Sequence, residues 1–204
     1  MPKREKISAI DTAWLRMDRP SNLMMICGVL TFRTPIRMTR LRNVIEKRFL
    51  RFARFRQRPV ESLGAAYWEG SGKVDLDYHL ARVSLPGRAG KRELEALVSR
   101  LAATELDRAH PRWQFHLVDN YEGGSAVIVR IHHCYADGIA LVQVMLSMTD
   151  SAPGGPPAMP PPPPPRKRAA ASDEPLAALT APLANALQTA LGVGRTLTRT
   201  DGVP

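Results

Sequence analysis

The sequence predicts an α/β fold, a sandwich layer of mixed strands and helices, and three observations carry that reading. Short β-branched runs alternate along the chain with segments of helical periodicity, the mark of mixed layers. Two such runs, residues 113–120 and 125–132, flank the turn signal Tyr121-Glu122-Gly123-Gly124 and read as neighbouring strands of a hairpin. Directly after them the apolar spacing changes from strand to helix, with Ile139, Val142, Met145, Leu146 and Thr149 at helical intervals. With 204 residues, 44% of them hydrophobic, the chain can bury one sizeable core.

The elements follow in order. Residues 24–32 read as a strand. Residues 38–55 carry Leu41, Val44, Ile45, Phe49, Phe52 and Phe55 on one face of an expected helix. After Pro59 an irregular stretch is expected, and Gly70-Ser71-Gly72-Lys73 within it is a turn. It fails as a phosphate loop because Tyr67 and Val74 stand where Gly and Ser or Thr are required. Residues 79–85 read as a strand. Residues 91–106 read as an amphipathic helix with Leu94, Leu97, Val98 and Leu101 inward, and the strand pair follows. A boundary is expected after Asp150. Residues 151–165 are dominated by Pro and Gly and end in six consecutive prolines, which favours an extended polyproline spacer. Arg166-Lys167-Arg168 makes residues 151–173 a basic, Pro-rich linker. Residues 174–204 then read as an Ala- and Leu-rich partial helix.

Charge excludes some partners and suggests others. The formal net charge is +10, and between Arg37 and Arg58 a crowd of Arg and Lys meets a single acid, Glu46. Part of this is the solvated face of an amphipathic helix. The rest predicts attraction to anionic lipid headgroups or to the phosphates of coenzyme A, weakened by salt. No nucleic-acid-binding motif is present, and Pro59 stops the basic helix from extending. No segment has the ~20 apolar residues that span a bilayer, and the charged N-terminus is not followed by the apolar core of a signal peptide. Two cysteines do not make a disulfide framework. A cytoplasmic protein, peripheral to the inner membrane or to lipid inclusions, is expected.

The chemistry concentrates in Ile131-His132-His133-Cys134-Tyr135-Ala136-Asp137-Gly138, at the end of the run Ser125-Ala126-Val127-Ile128-Val129-Arg130. This places a strand–loop–helix junction where a rigid scaffold can present a side chain into a cleft. Successive strand residues point to opposite faces, so His132 and His133 cannot both meet the same reactant. An alcohol is a poor nucleophile until it loses its proton, and neutral imidazole is a base near physiological pH. Asp137 can fix the imidazole geometry, and Gly138, without a Cβ, lets a ligand or backbone approach. The plain alternative is a cluster of partly buried polar residues, and the bare spacing arises by chance, so the motif alone leaves both readings open. No metal site is expected: adjacent strand histidines diverge and no second Cys or His pair lies at ligand spacing. Cys134 is expected to be a small buried residue. A Gly-x-Ser-x-Gly elbow is absent.

Across residues 7–150 the chain resembles the N-terminal half of the bacterial wax ester synthase/diacylglycerol acyltransferase family. That family lies within the superfamily of chloramphenicol acetyltransferase and peptide-synthetase condensation domains. The resemblance runs through Ile7-Ser8-Ala9-Ile10-Asp11-Thr12-Ala13-Trp14-Leu15, the segment Asn22 to Phe32, and Phe55-Arg56-Gln57-Arg58-Pro59. It continues through Trp68, Asp75-Leu76-Asp77-Tyr78-His79-Leu80, Leu106 to Trp113, and the histidine motif. It implies a chloramphenicol-acetyltransferase-like two-layer sandwich of which residues 1–150 are the N-terminal half. His133 would act as general base, His132 in support and Asp137 mainly as structure, with Gly138 beside the substrate. The co-substrate would be acyl-CoA, with no other cofactor, and the acceptor diacylglycerol or a long-chain alcohol. Arg112 stands where the family has leucine before Trp113, and as a charged residue it is expected to face solvent.

Family members pair two halves around a tunnel, and the downstream Asn-Asp motif is absent here. The resemblance therefore implies an incomplete acyltransferase, completed by a separate C-terminal half or by a second copy. The alternative is a non-catalytic lipid-binding or interaction fragment with a vestigial motif. A condensation domain acting on carrier-bound acyl groups ranks below both, because residues 7–15 and 75–80 are closer to the lipid acyltransferases.

Overall fold

The computed structural model describes residues 4–136 and 138–152. The expected linker, apart from its first two residues, and the expected C-terminal partial helix lie outside the described residues. So does Asp137. Along the chain run β1 (Glu5–Lys6), α1 (Ala9–Met17), β2 (Met25–Phe32) and α2 (Met38–Lys47). Two 3₁₀ turns (Phe49–Arg51 and Ala53–Arg56) precede β3 (Gln57–Ser62) and β4 (Ala65–Gly70). Then come α3 (Leu76–His79), β5 (Leu80–Val83), α4 (Lys91–Ala102), β6 (Trp113–Tyr121) and β7 (Gly124–His132). A last 3₁₀ turn (His133–Tyr135) leads into α5 (Gly138–Met148).

The main sheet has the order β2-β7-β6-β5, antiparallel except for the β5–β6 pair. β7 is central and buried along all nine residues, which is why its sequence is a continuous apolar run rather than an alternation. One face of this sheet (Trp113, Phe115, Leu117, Val127, Val129, Ile131) packs into an aromatic core with Phe49, Phe55 and Trp68. The other face (Val118, Ala126, Ile128) is covered by Leu94 and Leu97 of α4. The predicted β6–β7 hairpin turns at Glu122 and Gly123, both at positive φ, as a two-residue turn that matches strand twist requires. Gly124 is needed for a different reason: a Cβ there would lie 2.0 Å from the Phe32 carbonyl oxygen. Only glycine lets β2 come this close to the start of β7.

Three expectations are corrected. The helix predicted over residues 38–55 ends at Lys47 and continues as the two 3₁₀ turns. The reason is Phe49, which stacks on Phe55 at 4.1 Å and meets Trp113 and Phe115 edge-on. Six residues along a straight α-helix separate side chains by about 9 Å and turn them to different faces. Stacking the two rings therefore breaks the helix. Second, the irregular stretch after Pro59 is the β3–β4 hairpin, turning at Leu63 and Gly64 and joined by β1 in a separate three-stranded sheet. Third, the strand expected from residue 79 begins at Leu80. His79 instead closes the one-turn α3, capped by the Asp75 carboxylate on the Asp77 and Tyr78 amides.

α4 and α5 form where the spacing places them, although α4 stops at Ala102 rather than residue 106. In α5 the buried residues are Leu141, Val144 and Ser147, whereas Ile139, Val142 and Leu146 are exposed.

Candidate active site

The last residue of β7 and the first after it are pinned by different neighbours. The His132 amide donates to the Arg112 carbonyl at 3.0 Å, on the β6 side. The His133 amide donates to the Met24 carbonyl at 2.8 Å, just before β2. Consecutive peptides tied to opposite flanks leave the ladder here and close the 3₁₀ turn. The two rings go to different surroundings, as the strand geometry predicts.

His132 is 2% exposed. Its Nδ1 accepts a hydrogen bond from the Cys134 amide at 3.1 Å, so the ring proton is assigned to Nε2. Nε2 lies 3.3 Å from Asp18 Oδ2. Burial, reinforced by the nearby Arg112 cation and opposed by Asp18, pushes its pKa down to about 4. A neutral ring whose lone pair is already taken has nothing left with which to accept a substrate proton.

His133 is half-buried and lies against Trp14 of α1, with ring centroids 4.0 Å apart and planes at 27°. Its Nδ1 is buried, and neither ring nitrogen has a hydrogen-bond partner among the described residues. The ring is held by its face and its backbone. Gly138 opens α5 with empty space where a Cβ would stand. Of the four expected site residues, His132 ends β7, His133 opens the 3₁₀ turn that follows and Gly138 opens α5.

Arg112 does not face solvent: it is 8% exposed. Its guanidinium lies 3.4 Å from Asp18 Oδ2, and its amide donates to the Tyr135 hydroxyl at 2.9 Å. That hydroxyl in turn donates to the Gln57 carbonyl at 2.7 Å. A cation can be buried here because an acid from another element neutralises it. Cys134 is fully buried, and desolvation raises its thiol pKa, which fits a packing residue and not a nucleophile.

Sequence reasoning missed Asp18 and Trp14, which come from α1 and the residue after it. Their partners Arg112, His132 and His133 lie 94 or more positions away, so no local spacing marks these contacts. The one available signal was Arg112 itself, since an arginine between apolar positions needs an acid.

Two apolar hollows lie along the β2–β7 face under α5. One, of about 170 Å³, is lined by Ile26, Gly28, Ile131 and Leu141. The next, of about 510 Å³, shares Leu30 and Met145 with it and is rimmed by Arg40, Lys47 and Arg48. The crevice beside Asp18, Arg112 and His132 is only about 10 Å³, too small for any substrate. Among the described residues no three His, Cys, Asp or Glu side chains group as a metal site, and no helix is long and apolar enough to cross a membrane.

The basic stretch is largely neutralised. Arg40 and Arg48 pair with Asp150, Arg42 with Asp77, Arg54 with Glu5 and Arg58 with Glu69. Arg37, Lys47, Arg51 and Arg56 carry no ion pair among the described residues.

Comparison with known proteins gives a consistent picture. A family model described as the wax ester synthase/diacylglycerol acyltransferase catalytic domain matches residues 7–202. A Mycobacterium tuberculosis protein provisionally named a diacylglycerol O-acyltransferase is 43% identical over 103 residues, covering 48% of this chain and 20% of its own length. A Mycobacterium bovis protein of the same provisional name is 34% identical over 156 residues, covering 74% and 35%. The chain thus spans a fifth to about a third of these relatives. Among solved structures, the wax ester synthase/diacylglycerol acyltransferase from Marinobacter aquaeolei superposes with a TM-score of 0.64 at 22% identity, over 93% of this chain and 46% of that one. The starter condensation domain of rhizomide synthetase gives 0.59 at 14% identity, over 72% and 37%. A double mutant of that domain, in complex with C8-CoA, gives 0.62 at 13%. At these identities the likeness is one of fold, the two-layer α/β sandwich.

Proposed function

Because the chain belongs to the wax ester synthase/diacylglycerol acyltransferase family, we propose that it supplies the base-bearing half of an O-acyltransferase. His133 takes the proton from the hydroxyl of diacylglycerol or of a long-chain alcohol. The oxygen attacks the thioester carbonyl of acyl-CoA, forming the new C–O bond. The C–S bond then breaks, and the leaving thiolate recovers the proton from the imidazolium. What supports this reading is the contrast at the strand end: His132 has its lone pair committed to the Cys134 amide, whereas the buried Nδ1 of His133 has no hydrogen-bond partner among the described residues. The apolar hollows along β2 and β7 suit a fatty acyl chain, with free cations such as Lys47 near coenzyme A phosphates.

In this reading residues 1–150 form the acyltransferase N-terminal domain. Residues 151–173 link it to a segment, 174–204, that leads toward a second half or pairs with a second copy. The test is thiol release from palmitoyl-CoA with and without dioleoylglycerol or hexadecanol. Release that requires the acceptor, with ester formed in step, is the expected result. Acceptor-independent release means hydrolysis and overturns acyl transfer. Tight acyl-CoA binding without release means that the chain needs its second half or serves only to bind, the alternative of a lipid-binding fragment.

Peripheral attachment to an anionic membrane or lipid-inclusion surface is part of the same proposal, and it rests on Arg37, Lys47, Arg51 and Arg56. Such attraction is electrostatic. Raising ionic strength from about 0.01 M to about 1 M shortens the Debye length from about 30 Å to about 3 Å. Sedimentation with phosphatidylglycerol vesicles is therefore expected at low salt and lost at high salt. Binding that ignores salt contradicts the assignment.

A further inference from the structure

We propose that Asp18 is a positioning residue whose single carboxylate sets both histidines of the motif, His132 by direct contact and His133 through the backbone of Met24. The inference rests on the base role of His133 and adds to it the group that holds that base in place.

The two carboxylate oxygens do different work. Oδ2 lies 3.3 Å from His132 Nε2 and 3.4 Å from the Arg112 guanidinium. Oδ1 accepts the Met24 amide at 3.0 Å. Met24 is also the residue whose carbonyl receives the His133 amide at 2.8 Å. One residue therefore takes the Asp18 contact on its amide and the backbone of the base on its carbonyl. The two groups lie in adjacent planar peptides that meet at the Met24 Cα, so the coupling passes only through the φ and ψ of this one residue. Asp18 ends α1, the helix whose Trp14 ring stacks on His133. The base is consequently gripped on its face by one residue of this segment and through its backbone by another.

Arg112 completes the arrangement. Its guanidinium stands beside the carboxylate and supplies the opposite charge in a crevice where His132 and Arg112 are both buried. Its backbone carbonyl simultaneously anchors the His132 amide. Where the family has leucine, this chain has a cation that matches Asp18.

Removing Asp18 alone leaves Arg112 buried without a partner and endangers folding. The test therefore compares Arg112→Leu with the double variant Asp18→Ala/Arg112→Leu, in which no unpaired charge remains. Hydrogen exchange at the His133 amide and the upfield ring-current shift of the His133 ring protons, measured by NMR, report its position without any need for turnover. In Arg112→Leu both signatures persist. In the double variant amide protection falls about tenfold, the scale of one lost hydrogen bond, and the ring-current shift collapses. Identical signatures in the two variants overturn the proposal. In acyl transfer the double variant lowers kcat about tenfold relative to Arg112→Leu with KM for acyl-CoA unchanged, as expected for a misplaced base. A rise in KM at constant kcat overturns the positioning role. If His133→Ala instead retains full activity, the base assignment fails while the NMR comparison still decides what Asp18 holds.

Discussion

His133→Ala lowers acyl transfer by about 10²–10⁴-fold, the usual contribution of a positioned general base, while His132→Ala impairs it less. The asymmetry follows from the two rings' partners. His132 accepts the Cys134 amide and faces Asp18, so its loss loosens the turn and leaves an amide unpaired, yet removes no base. His133 makes no ring hydrogen bond among the described residues, so its loss costs the turn little beyond the Trp14 stacking and removes the proposed base. Steady-state CoA release for the two variants, with circular dichroism to verify folding, separates these effects. Equal, near-native rates in both variants sink the assignment.

The second large effect is acid sensitivity. His79, His116 and His132 are buried neutral, and burial is the main cause that holds each pKa to about 4. The Trp113 carbonyl opposes the shift at His79, and the Arg130 cation adds to it at His116. In the unfolded chain histidine titrates near about 6.5. Below that pH the unfolded state takes up protons that the folded state refuses, so folding stability is full above about pH 6.5 and falls as pH drops toward 4. Each histidine contributes at most about 1.4 kcal/mol per pH unit in that window, less where solvent screens the ring. The carboxylates Glu69 and Asp119, held below their ordinary values by arginine and serine partners, act in a lower window. Urea midpoints at pH 7, 6 and 5 are expected to fall steadily, and His116→Leu to flatten the decline. A midpoint constant from pH 7 to pH 5 contradicts the buried-neutral assignment.

The legible parts of the fold are those coded by neighbours in sequence. β2 and the β6–β7 hairpin with its Glu122–Gly123 turn follow from β-branched apolar runs and turn residues, and α4 and α5 from a period of 3.6. The β3–β4 hairpin was missed because Pro59 and the glycines around it speak for irregular chain. They are tolerated there because this is a small separate sheet with short strands. The helix over residues 38–55 failed differently: its periodicity is real to Lys47, and beyond it the stacking of Phe49 on Phe55 decided the backbone.

By itself the sequence determined the strand–turn–helix that carries His132, His133 and Gly138, and it sent the two histidine side chains to different surroundings. These depend on adjacent residues and on pleat geometry, which a linear pattern records. Only the tertiary structure decided that Asp18 faces His132, that Trp14 stacks on His133 and that Arg112 is buried rather than solvated. Those choices are contacts between residues 94 or more positions apart. A buried charge is stable only where another element delivers its counter-charge, so it is the packing of α1 against the end of β7 that turns a short motif into a site.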